Sequence, residues 1–600
     1  MKGRDNYILS YAALMIKDEI VKKYNQLSKR LSIHQENREG INGEIKRILR
    51  EFTQNSINPA IYCNGKHTKM LMSDFMFELK RVKYIVDKDV NKNLLEGFII
   101  INDSSIEECG VDAIIISSYR FADEIEDQLK KEHPNVNVLN IYRELKKRGY
   151  FLGVEYYNLG HPYGTYKRIN DYILFLEQNI GDIETIIELV KELVKIKDFE
   201  LAFFYASQLQ RLDNSDEKQY SMICNIISEI NVLMEKALKQ IDENNVLMLC
   251  VDGLRRKDVS YEYMPKTRKT IDEKGFWLDN AYSYSTSTFE SLIPVYSENY
   301  DLQTKYYEKN AIEEGECRFV CEAVKQNRNI YFRTDMDRIV SSEKIRYSGC
   351  FETATEKVWN FIMDALDEKN GLFYVHILYE SHFSFPSPLL QSPIIAEGTS
   401  ILFDFLPKNG GKIRTDYIQQ HRLSRKYLDG IISKLLSNLS CQIVMYADHG
   451  NLLLSQTAKI SDLSSGELLC GEELTAIPIT IFSKELGHGT SSNLVSLSCL
   501  NDIIVSLLRR DTIEIPCNEF VKLARSQIYN PDFRYLYTVI EKERFLQAFE
   551  AYIFNDGATL FMLEDGTAIL KFKDCEDCDN KLVIEKYRKK IDGKVGGDQL

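Results

Sequence analysis

Two polar segments that each follow an apolar run can bind a metal ion together. Asp252 follows the run Val246–Val251, and Asp448 and His449 come after Gln442–Tyr446. Nearly unbroken apolar runs are typical of strands buried on both faces of a parallel sheet, and ligands bind at the carboxyl ends of such strands. Carboxylates and imidazoles are suitable ligands for zinc or manganese. The sequence therefore predicts a divalent-metal site, with Zn²⁺ expected and Mn²⁺ as the alternative.

A segment rich in small hydroxyl residues, Ser283–Ser291, lies between those two positions in the chain. A helical Leu-Ile segment follows it, so a hydroxyl here is expected near a helix N-terminus, where backbone N–H groups stabilise an anion. A threonine hydroxyl is a weak nucleophile on its own, and coordination to a metal ion is one way to activate it. The segment is therefore a candidate source of a nucleophile.

Three motifs carry a resemblance to a known family. They are residues 246–255, 285–294 and 445–450. In this order they resemble the sulfatase/phosphoethanolamine-transferase branch of the alkaline phosphatase superfamily. The segments 330–335 and 373–376 resemble further strands of that branch. The resemblance implies an alkaline-phosphatase-like α/β sandwich and a sulfatase-like hydrolase or transferase that acts on a phosphate or sulfate ester.

The resemblance also assigns roles to four residues. Asp252, Thr288, Asp448 and His449 match the positions that hold one metal ion in this family, and Thr288 matches the nucleophile that forms a covalent intermediate. This implies that the metal and the nucleophile act at the same place.

The sequence departs from the family pattern at several points. Asp252 stands where the transferases usually have glutamate, and Pro294 lies one residue further on than in their pattern. Ser285 and Thr286 therefore remain rival nucleophiles. A formylglycine-dependent sulfatase needs a C/S-x-P-x-R segment, and none of the cysteines begins one, so that route is not expected.

Five further residues are candidates for contact with the substrate or with a second metal ion. His382 lies on a predicted loop, and His488 lies between two glycines, where burial in a core is not expected. Glu380 is a candidate second-site carboxylate or general acid. His376 sits inside an apolar run, so a core histidine is the alternative. Arg255 matches an arginine of the family and is expected near the bound anion.

A short N-terminal segment carries part of the pattern of a nucleotide-binding site. Gly65 and His67 follow the apolar run Ala60–Cys63, where a nucleotide can meet a helix N-terminus. The segment resembles the small Rossmann-like domains of bacterial polysaccharide-biosynthesis proteins. It lacks a full G-x-G-x-x-G, so a tight strand–helix turn without a ligand is the alternative.

The order of helical and strand patterns predicts a multidomain α/β protein. Asp-Gly pairs near the C-terminus favour hairpin turns and an antiparallel subdomain. The predicted divisions are a helical N-terminal segment, a Rossmann-like α/β domain, a helical spacer, the phosphatase-like catalytic domain and a β-rich C-terminal subdomain, with the boundaries 1–57, 58–150, 151–242, 243–515 and 516–600.

Length and composition exclude some classes of protein. At 600 residues the chain is long enough for several domains, and a net charge of −13 argues against a nucleic-acid partner. No apolar run reaches the roughly 18 residues of a membrane span. The 13 cysteines are irregularly spaced, and the single C-x-x-C pair, Cys575 and Cys578, has no second pair to complete a zinc ribbon. A reduced, cytoplasmic chain is expected.

Three functions remain open from the sequence. The first is transfer of a phosphoethanolamine- or phosphoglycerol-like group through a covalent threonine intermediate, with a glycan as the expected acceptor. The second is a hydrolase acting on phosphodiesters or sulfate esters at the same site, with water as the acceptor. The third, from another class, is a non-catalytic scaffold that binds a nucleotide or a partner protein. The first two differ only in what enters the site second.

Overall fold

The fold is seen in a computed structural model. It describes residues 2–33, 38–54, 56–88, 98–118, 121–150, 161–212, 217–297, 312–336, 339–382, 385–389, 411–451, 472–525, 548–572 and 580–595. These residues form two compact units. One contains the described residues of Met1–Gln240, Gln303–Cys317 and Asn327–Tyr374, and the other contains those of Ile241–Leu302, Arg318–Gln326 and Val375–Leu600. The pair Cys575 and Cys578 lies outside the described residues.

The chain begins with two helices and a parallel sheet. The helices are α1 (Lys2–Arg30) and α2 (Arg38–Gln54). The strands are β1 (Pro59–Tyr62), β2 (Tyr84–Val86), β3 (Ile99–Ile101), β4 (Ala113–Ile116) and β5 (Asn137–Asn140). Their order is β3-β2-β1-β4-β5 and all neighbours are parallel. The accompanying helices are α3 (Lys66–Asp74), α4 (Ala122–Glu132) and α5 (Ile141–Lys147). The predicted Rossmann-like sheet is confirmed.

Helices alone make up the next part of the chain. They are α6 (Tyr163–Gln178), α7 (Ile183–Lys195), α8 (Phe199–Leu212) and α9 (Glu217–Gln240). Asp198 lies in the turn between two of them: α7 ends before this residue and α8 begins directly after it. The Asp198 carboxylate accepts a hydrogen bond from the backbone N–H of Leu201 in the first turn of α8.

The largest sheet has eight strands. They are β6 (Val246–Val251), β7 (Phe276–Tyr282), β9 (Asn329–Arg333), β11 (Ile345–Ser348), β12 (Gly371–Ile377), β13 (Gln442–Tyr446), β14 (Ile479–Phe482) and β15 (Gly489–Ser496). Their order is β11-β9-β12-β6-β13-β14-β7-β15. Two short strands, β8 (Ile312–Glu313) and β10 (Val340–Ser341), pair separately.

Helices connect the strands of this sheet. They are α10 (Pro265–Lys274), α11 (Thr288–Tyr296), α12 (Arg318–Lys325), α13 (Ala354–Ala365), α14 (Gly411–Asn438), α15 (Glu472–Thr475) and α16 (Leu500–Arg509). Every residue of β6, β12 and β13 is buried, as the unbroken apolar runs predict for strands covered on both faces.

One expectation about this sheet is wrong. The sequence predicts a parallel sheet, but β14 is antiparallel to both of its neighbours, β13 and β7. An apolar run indicates that a strand is buried and says nothing about its direction, so the orientation of β14 cannot be predicted from its apolar sequence.

An antiparallel sheet ends the chain. Its strands are β16 (Phe520–Arg525), β17 (Phe549–Phe554), β18 (Thr559–Leu563) and β19 (Ala568–Lys571), and the helix α17 (Lys581–Val595) follows them. Consecutive strands pair antiparallel. The predicted turns at Asp556-Gly557 and Asp565-Gly566 join β17 to β18 and β18 to β19, so the antiparallel subdomain is confirmed.

Among the described residues, no helix combines the length and the apolar character needed to cross a membrane.

Candidate active site

Three strands deliver the predicted site residues to one edge of the large sheet. β6 and β13 are parallel neighbours, and they lead directly to Asp252 and to the pair Asp448 and His449. β7 is antiparallel to β14, which is itself antiparallel to β13, so β7 runs in the same direction as β13. The loop after β7 leads to Thr288, the first residue of α11. The predicted convergence of these segments is confirmed.

The predicted metal ligands lie close together. Each of Asp252, Asp448 and His449 offers one ligand atom, and these three atoms all lie within 4.8 Å of one another. All three residues are buried, and neither aspartate is exposed at all. Two carboxylates and one imidazole are a suitable donor set for Zn²⁺.

Two buried carboxylate oxygens support a cation at this position. Among the described residues, Asp252 Oδ1 and Asp448 Oδ2 have no hydrogen-bond partner. Burying a charged oxygen without a partner is costly, and a divalent cation held between the two aspartates would remove that cost. The residues present therefore fit a metal ion.

The ring of His449 is oriented by the backbone. Its Nδ1 lies 2.6 Å from the carbonyl oxygen of Gly450, to which it donates. That bond leaves the electron pair on Nε2, which lies 3.2 Å from Thr288 Oγ1 and 3.4 Å from Asp448 Oδ2. A hydrogen bond from the second ring nitrogen is the usual way to fix a metal-binding histidine.

The pKa values of the two aspartates are shifted in opposite directions. Burial acts to raise the pKa of Asp252, but a hydrogen bond from His376 and the nearby histidine charges outweigh it, so this pKa is lowered. Burial and the negative charge of Asp252 raise the pKa of Asp448. Two buried carboxylates that each oppose the ionisation of the other are typical of a site that binds a cation.

Thr288 lies beside these residues at the start of a helix. Its hydroxyl is 3.1 Å from Asp252 Oδ2, to which it donates, and 3.2 Å from His449 Nε2. As the first residue of α11, it lies at the positive end of the helix dipole. Its side chain is therefore in reach of the same ion as the three metal-ligand candidates.

The rival hydroxyls lie in the same loop. Ser285 is fully buried, and its hydroxyl donates to the carboxylate of Glu290 at 2.6 Å. The carbonyl oxygen of Ser285 accepts hydrogen bonds from the hydroxyls of Ser283 and Ser291. These bonds tie the loop to the first turns of α11. Thr286 is half-buried.

Three of the five further candidates lie in β12 or in the segment that directly follows it. Their positions are compared with the metal-ligand group, which is Asp252, Asp448 and His449. His376 is buried in β12, with Nε2 3.3 Å from Asp252 Oδ2, so the structure makes it a neighbour of a candidate ligand. His382 is half-buried, and its charge helps to lower the pKa of Asp252. Glu380 is buried, and its carbonyl oxygen accepts a hydrogen bond from the Ser424 hydroxyl.

Arg255 is buried against carboxylates. Its guanidinium donates to Asp258 at 2.9 and 2.6 Å and to Glu473 at 2.9 Å. Its charge is thus balanced within the protein, whereas the sequence led us to expect it beside the bound anion.

His488 lies at the other edge of the sheet. It is exposed and directly precedes β15, whose first residue, Gly489, pairs with Phe276 at the beginning of β7. The Thr288 loop follows the end of β7, roughly 20 Å away at the rise of a strand. The structure does not bring His488 to the site. Flanking glycines indicate a loop, but they do not show at which edge of a sheet that loop lies.

The two N-terminal candidates lie at the first turn of α3. Gly65 caps this helix, and His67 is buried. The ring Nδ1 of His67 lies 2.9 Å from the Ser117 carbonyl oxygen and 2.8 Å from the Tyr142 hydroxyl. Burial lowers the pKa of His67 to about 4. The imidazole therefore makes structural contacts at the strand–helix turn.

Sequence reasoning missed several buried polar residues near the site. Asp258 and Arg425 are both fully buried, with Arg425 Nε donating to Asp258 at 2.9 Å. His421 Nε2 lies 3.1 Å from the same carboxylate. Asn451 is buried as well. The available signal is that His421 and Arg425 are four residues apart, on one face of α14.

The fold is similar to that of several solved structures. No family model and no curated protein matches the sequence. The structure is similar to phosphonate monoester hydrolase of Agrobacterium radiobacter, with 10% identity, 58% of this chain and 94% of the other covered, and a TM-score of 0.37. It is similar to a 2-O glycosaminoglycan sulfatase, with 12% identity, 59% and 92% covered, and a TM-score of 0.40.

A third solved structure is the C-terminal periplasmic domain of the phosphoethanolamine transferase EptC from Escherichia coli. It shows 13% identity, 44% and 82% covered, and a TM-score of 0.31. These neighbours belong to the alkaline phosphatase superfamily, which the motifs resemble. Since each of these TM-scores is below 0.5, the function proposed below rests on the geometry of the site.

Proposed function

We propose that this protein is a metal-dependent enzyme of the alkaline phosphatase type that transfers or hydrolyses a phosphoryl-containing group through a covalent intermediate on Thr288. The observation that carries the proposal is that one hydroxyl contacts both Asp252 and His449, 3.1 and 3.2 Å away, beside buried carboxylate oxygens that have no partner among the described residues. Burial of such carboxylate oxygens destabilises the folded protein, and a non-catalytic scaffold would gain nothing from it.

Asp252, Thr288, Asp448 and His449 are the residues that would hold the metal ion. When bound, a divalent cation of this kind makes a hydroxyl a better nucleophile and neutralises charge on the transferred group. We favour zinc because a carboxylate–imidazole set suits it, with manganese as the alternative.

The chain's own residues account for the two steps of the reaction. In the first, Thr288 Oγ1 forms a bond to phosphorus while the bond from phosphorus to the leaving oxygen breaks. The hydroxyl proton leaves along the hydrogen bond to Asp252 Oδ2 and is passed on to the leaving alkoxide, so that one proton is released and one is consumed. In the second, the oxygen of an acceptor hydroxyl or of water forms a bond to phosphorus while the bond to Thr288 breaks, and the proton that the acceptor loses restores the threonine hydroxyl. The N-terminal end of α11 favours the negative charge of both steps.

The finer proposal is transfer of a phosphoethanolamine- or phosphoglycerol-like unit to a glycan hydroxyl. Its support is the resemblance of the sequence segment around Gly65 and His67 to the Rossmann-like domains of bacterial polysaccharide-biosynthesis proteins. Hydrolysis of a phosphodiester or a sulfate ester at the same residues is the alternative, because the residues named above serve water and a glycan hydroxyl equally well. Because the sequence lacks a formylglycine motif, we favour a phosphate ester over a sulfate ester as the substrate.

Activity on generic substrates tests the proposal. We expect the purified protein, with added Zn²⁺ or Mn²⁺, to cleave a 4-nitrophenyl phosphate ester faster than 4-nitrophenyl sulfate. Thr288→Ala is expected to reduce kcat by at least about 100-fold, because a nucleophile and its metal act as a unit. Mass spectrometry of quenched wild-type protein should find the phosphoryl adduct on the peptide that contains Thr288.

The matched control is Thr286→Ala, the same change two residues earlier in the same loop. It is expected to retain activity within a few-fold of the wild type. Full activity in Thr288→Ala, or a large loss in Thr286→Ala alone, would refute the assignment of the nucleophile.

A further inference from the structure

Three loops of the site meet at the side chain of Asn451. Its amide nitrogen donates to the carbonyl oxygen of Gly253 at 2.6 Å and to that of Ser381 at 3.1 Å. Gly253 directly follows Asp252, and Ser381 directly precedes His382, while Asn451 itself lies two residues after His449. One amide group therefore connects the segments that carry the three candidate metal ligands and the candidate substrate histidine.

The turn at Gly253 is shaped to receive this amide. Gly253 has a positive φ of 60°, and a Cβ atom there would lie 2.3 Å from Asn451 Nδ2, so only glycine admits the contact. The N–H of Gly253 donates to Asp448 Oδ1 at 2.9 Å. Both polar groups of this residue are thus used to hold the two ligand segments together.

A buried arginine makes the same connection from α14. Arg425 Nη2 donates to the carbonyl oxygens of Gly253 at 3.4 Å and Ser381 at 3.1 Å. The charge of Arg425 is balanced by Asp258, which accepts from its Nε at 2.9 Å. Asn451 and Arg425 therefore share the same two acceptors.

We propose that Asn451 is a positioning residue for the reaction, one that, together with Arg425, fixes the His382 loop relative to Asp252. This inference rests on the proposed function, and it adds the residues that set the distance between the nucleophile and the substrate side of the site. The amide has two N–H groups for two carbonyl oxygens, so a small error in the loop position breaks a buried hydrogen bond. Displacements of about 1 Å in an active site can cost about 100-fold in rate.

Asn451→Asp is the sharpest test because it keeps the shape and replaces the donor with an acceptor. A carboxylate would then face two carbonyl oxygens, and the loops should separate. We expect kcat on a phosphodiester to fall at least about 10-fold. The bound zinc per chain should stay as in the wild type, because Asp252, Asp448 and His449 are unchanged.

The matched control is Asn493→Asp in β15. Asn493 also donates through its amide to two backbone carbonyl oxygens, those of Ile515 and Pro516, but it lies on the edge strand of the sheet. If Asn451 were merely structural, both changes would lower the melting temperature, and the two variants would have similar kcat values. An Asn451→Asp variant with kcat within two-fold of Asn493→Asp would overturn the proposal.

Hydrogen exchange separates this proposal from the proposed function. In the purified protein, whether or not a substrate is known, Asn451→Asp should speed exchange of the backbone amides in residues 378–382 and 252–254 at least about 10-fold, and Asn493→Asp should not. Unchanged exchange there would overturn the positioning role. An inactive wild type with this exchange pattern would instead refute the proposed function alone.

Arg425→Lys provides a second variant in case Asn451→Asp does not fold. It keeps a positive charge beside Asp258 but loses the fork that reaches the two carbonyl oxygens. We expect the same loss of kcat and the same faster exchange in residues 378–382. A folded Arg425→Lys protein with wild-type kcat and exchange would also contradict the proposal.

Discussion

At the scale of single residues, the site is defined by two aspartates buried beside each other. Asp448 is fully buried, and its pKa is raised by burial and by the charge of Asp252. Such a pair destabilises the folded protein unless a cation lies between the carboxylates. The two aspartates that would bind the metal therefore lower the stability of the protein when no metal is bound.

Asp448→Asn should raise the stability of the metal-free protein and lower its affinity for the metal. The amide keeps an oxygen for the Gly253 N–H and turns a donor towards Asp252. With a chelator present, we expect the variant to be more stable than the wild type by about 1 kcal/mol, and its zinc affinity should fall at least about 100-fold, since even neighbours of metal ligands are worth about 10- to 100-fold. Calorimetry with and without zinc measures both.

The control for this change is Asp502→Asn, at an aspartate that is exposed and pairs with Arg318. It should alter neither quantity appreciably. If chelated Asp448→Asn were less stable than the chelated wild type, the two carboxylates would not be in conflict and the cation site would be contradicted.

The residues of the metal-ligand group were accessible to sequence reasoning because each ends or follows a buried apolar run. Asn451 and Arg425 were not, because donors to backbone carbonyl oxygens have no sequence pattern of their own. His488 was misjudged for a related reason: its glycines describe the local loop, whereas the edge of the sheet to which it belongs depends on the direction of β15.

At the scale of elements, buried strands were the easiest feature to predict. β6 and β13 have the predicted bounds, because central strands carry nearly unbroken apolar sequences. β7 and β15 were missed because polar residues such as Asp279 and Ser491 interrupt them. β15 is an edge strand, and only part of it is buried. The direction of β14 depends on contacts with its neighbours, which its own sequence does not record.

The first turn of α3 gives a pH prediction at this scale. The pKa of His67 is lowered from 6.5 to about 4 by burial, so in the folded state this ring stays neutral where the unfolded chain binds a proton. The unfolded state therefore binds more protons between these values, and the stability of the N-terminal sheet should fall as the pH decreases from about 6.5 to 4, by up to about 3 kcal/mol.

Hydrogen exchange of the α3 amides between pH 7 and 4.5, corrected for intrinsic rates, measures this loss. His67→Gln should remove most of the pH dependence, because glutamine does not titrate and can still donate to the Ser117 carbonyl oxygen. The same pH dependence in both proteins would show that another group is responsible.

At the scale of the whole molecule, function depends on bringing distant segments of the chain to one place. Asp252, Thr288 and the pair Asp448 and His449 are spread over nearly 200 residues, and the strand order of the large sheet brings them together. The order of the motifs predicted that convergence through the resemblance. It could not predict that two middle segments of the chain pack with the N-terminal unit, and the domain boundaries given above remain predictions.

The central claim is that this convergence creates one metal site, and anomalous X-ray scattering from zinc-loaded crystals tests it directly. We predict one zinc peak about 2.0–2.2 Å from oxygen or nitrogen atoms of Asp252, Asp448 and His449, with Thr288 Oγ1 as its neighbour. A crystal in equilibrium with zinc that shows no peak among these residues, or a peak bound elsewhere only, would contradict the account.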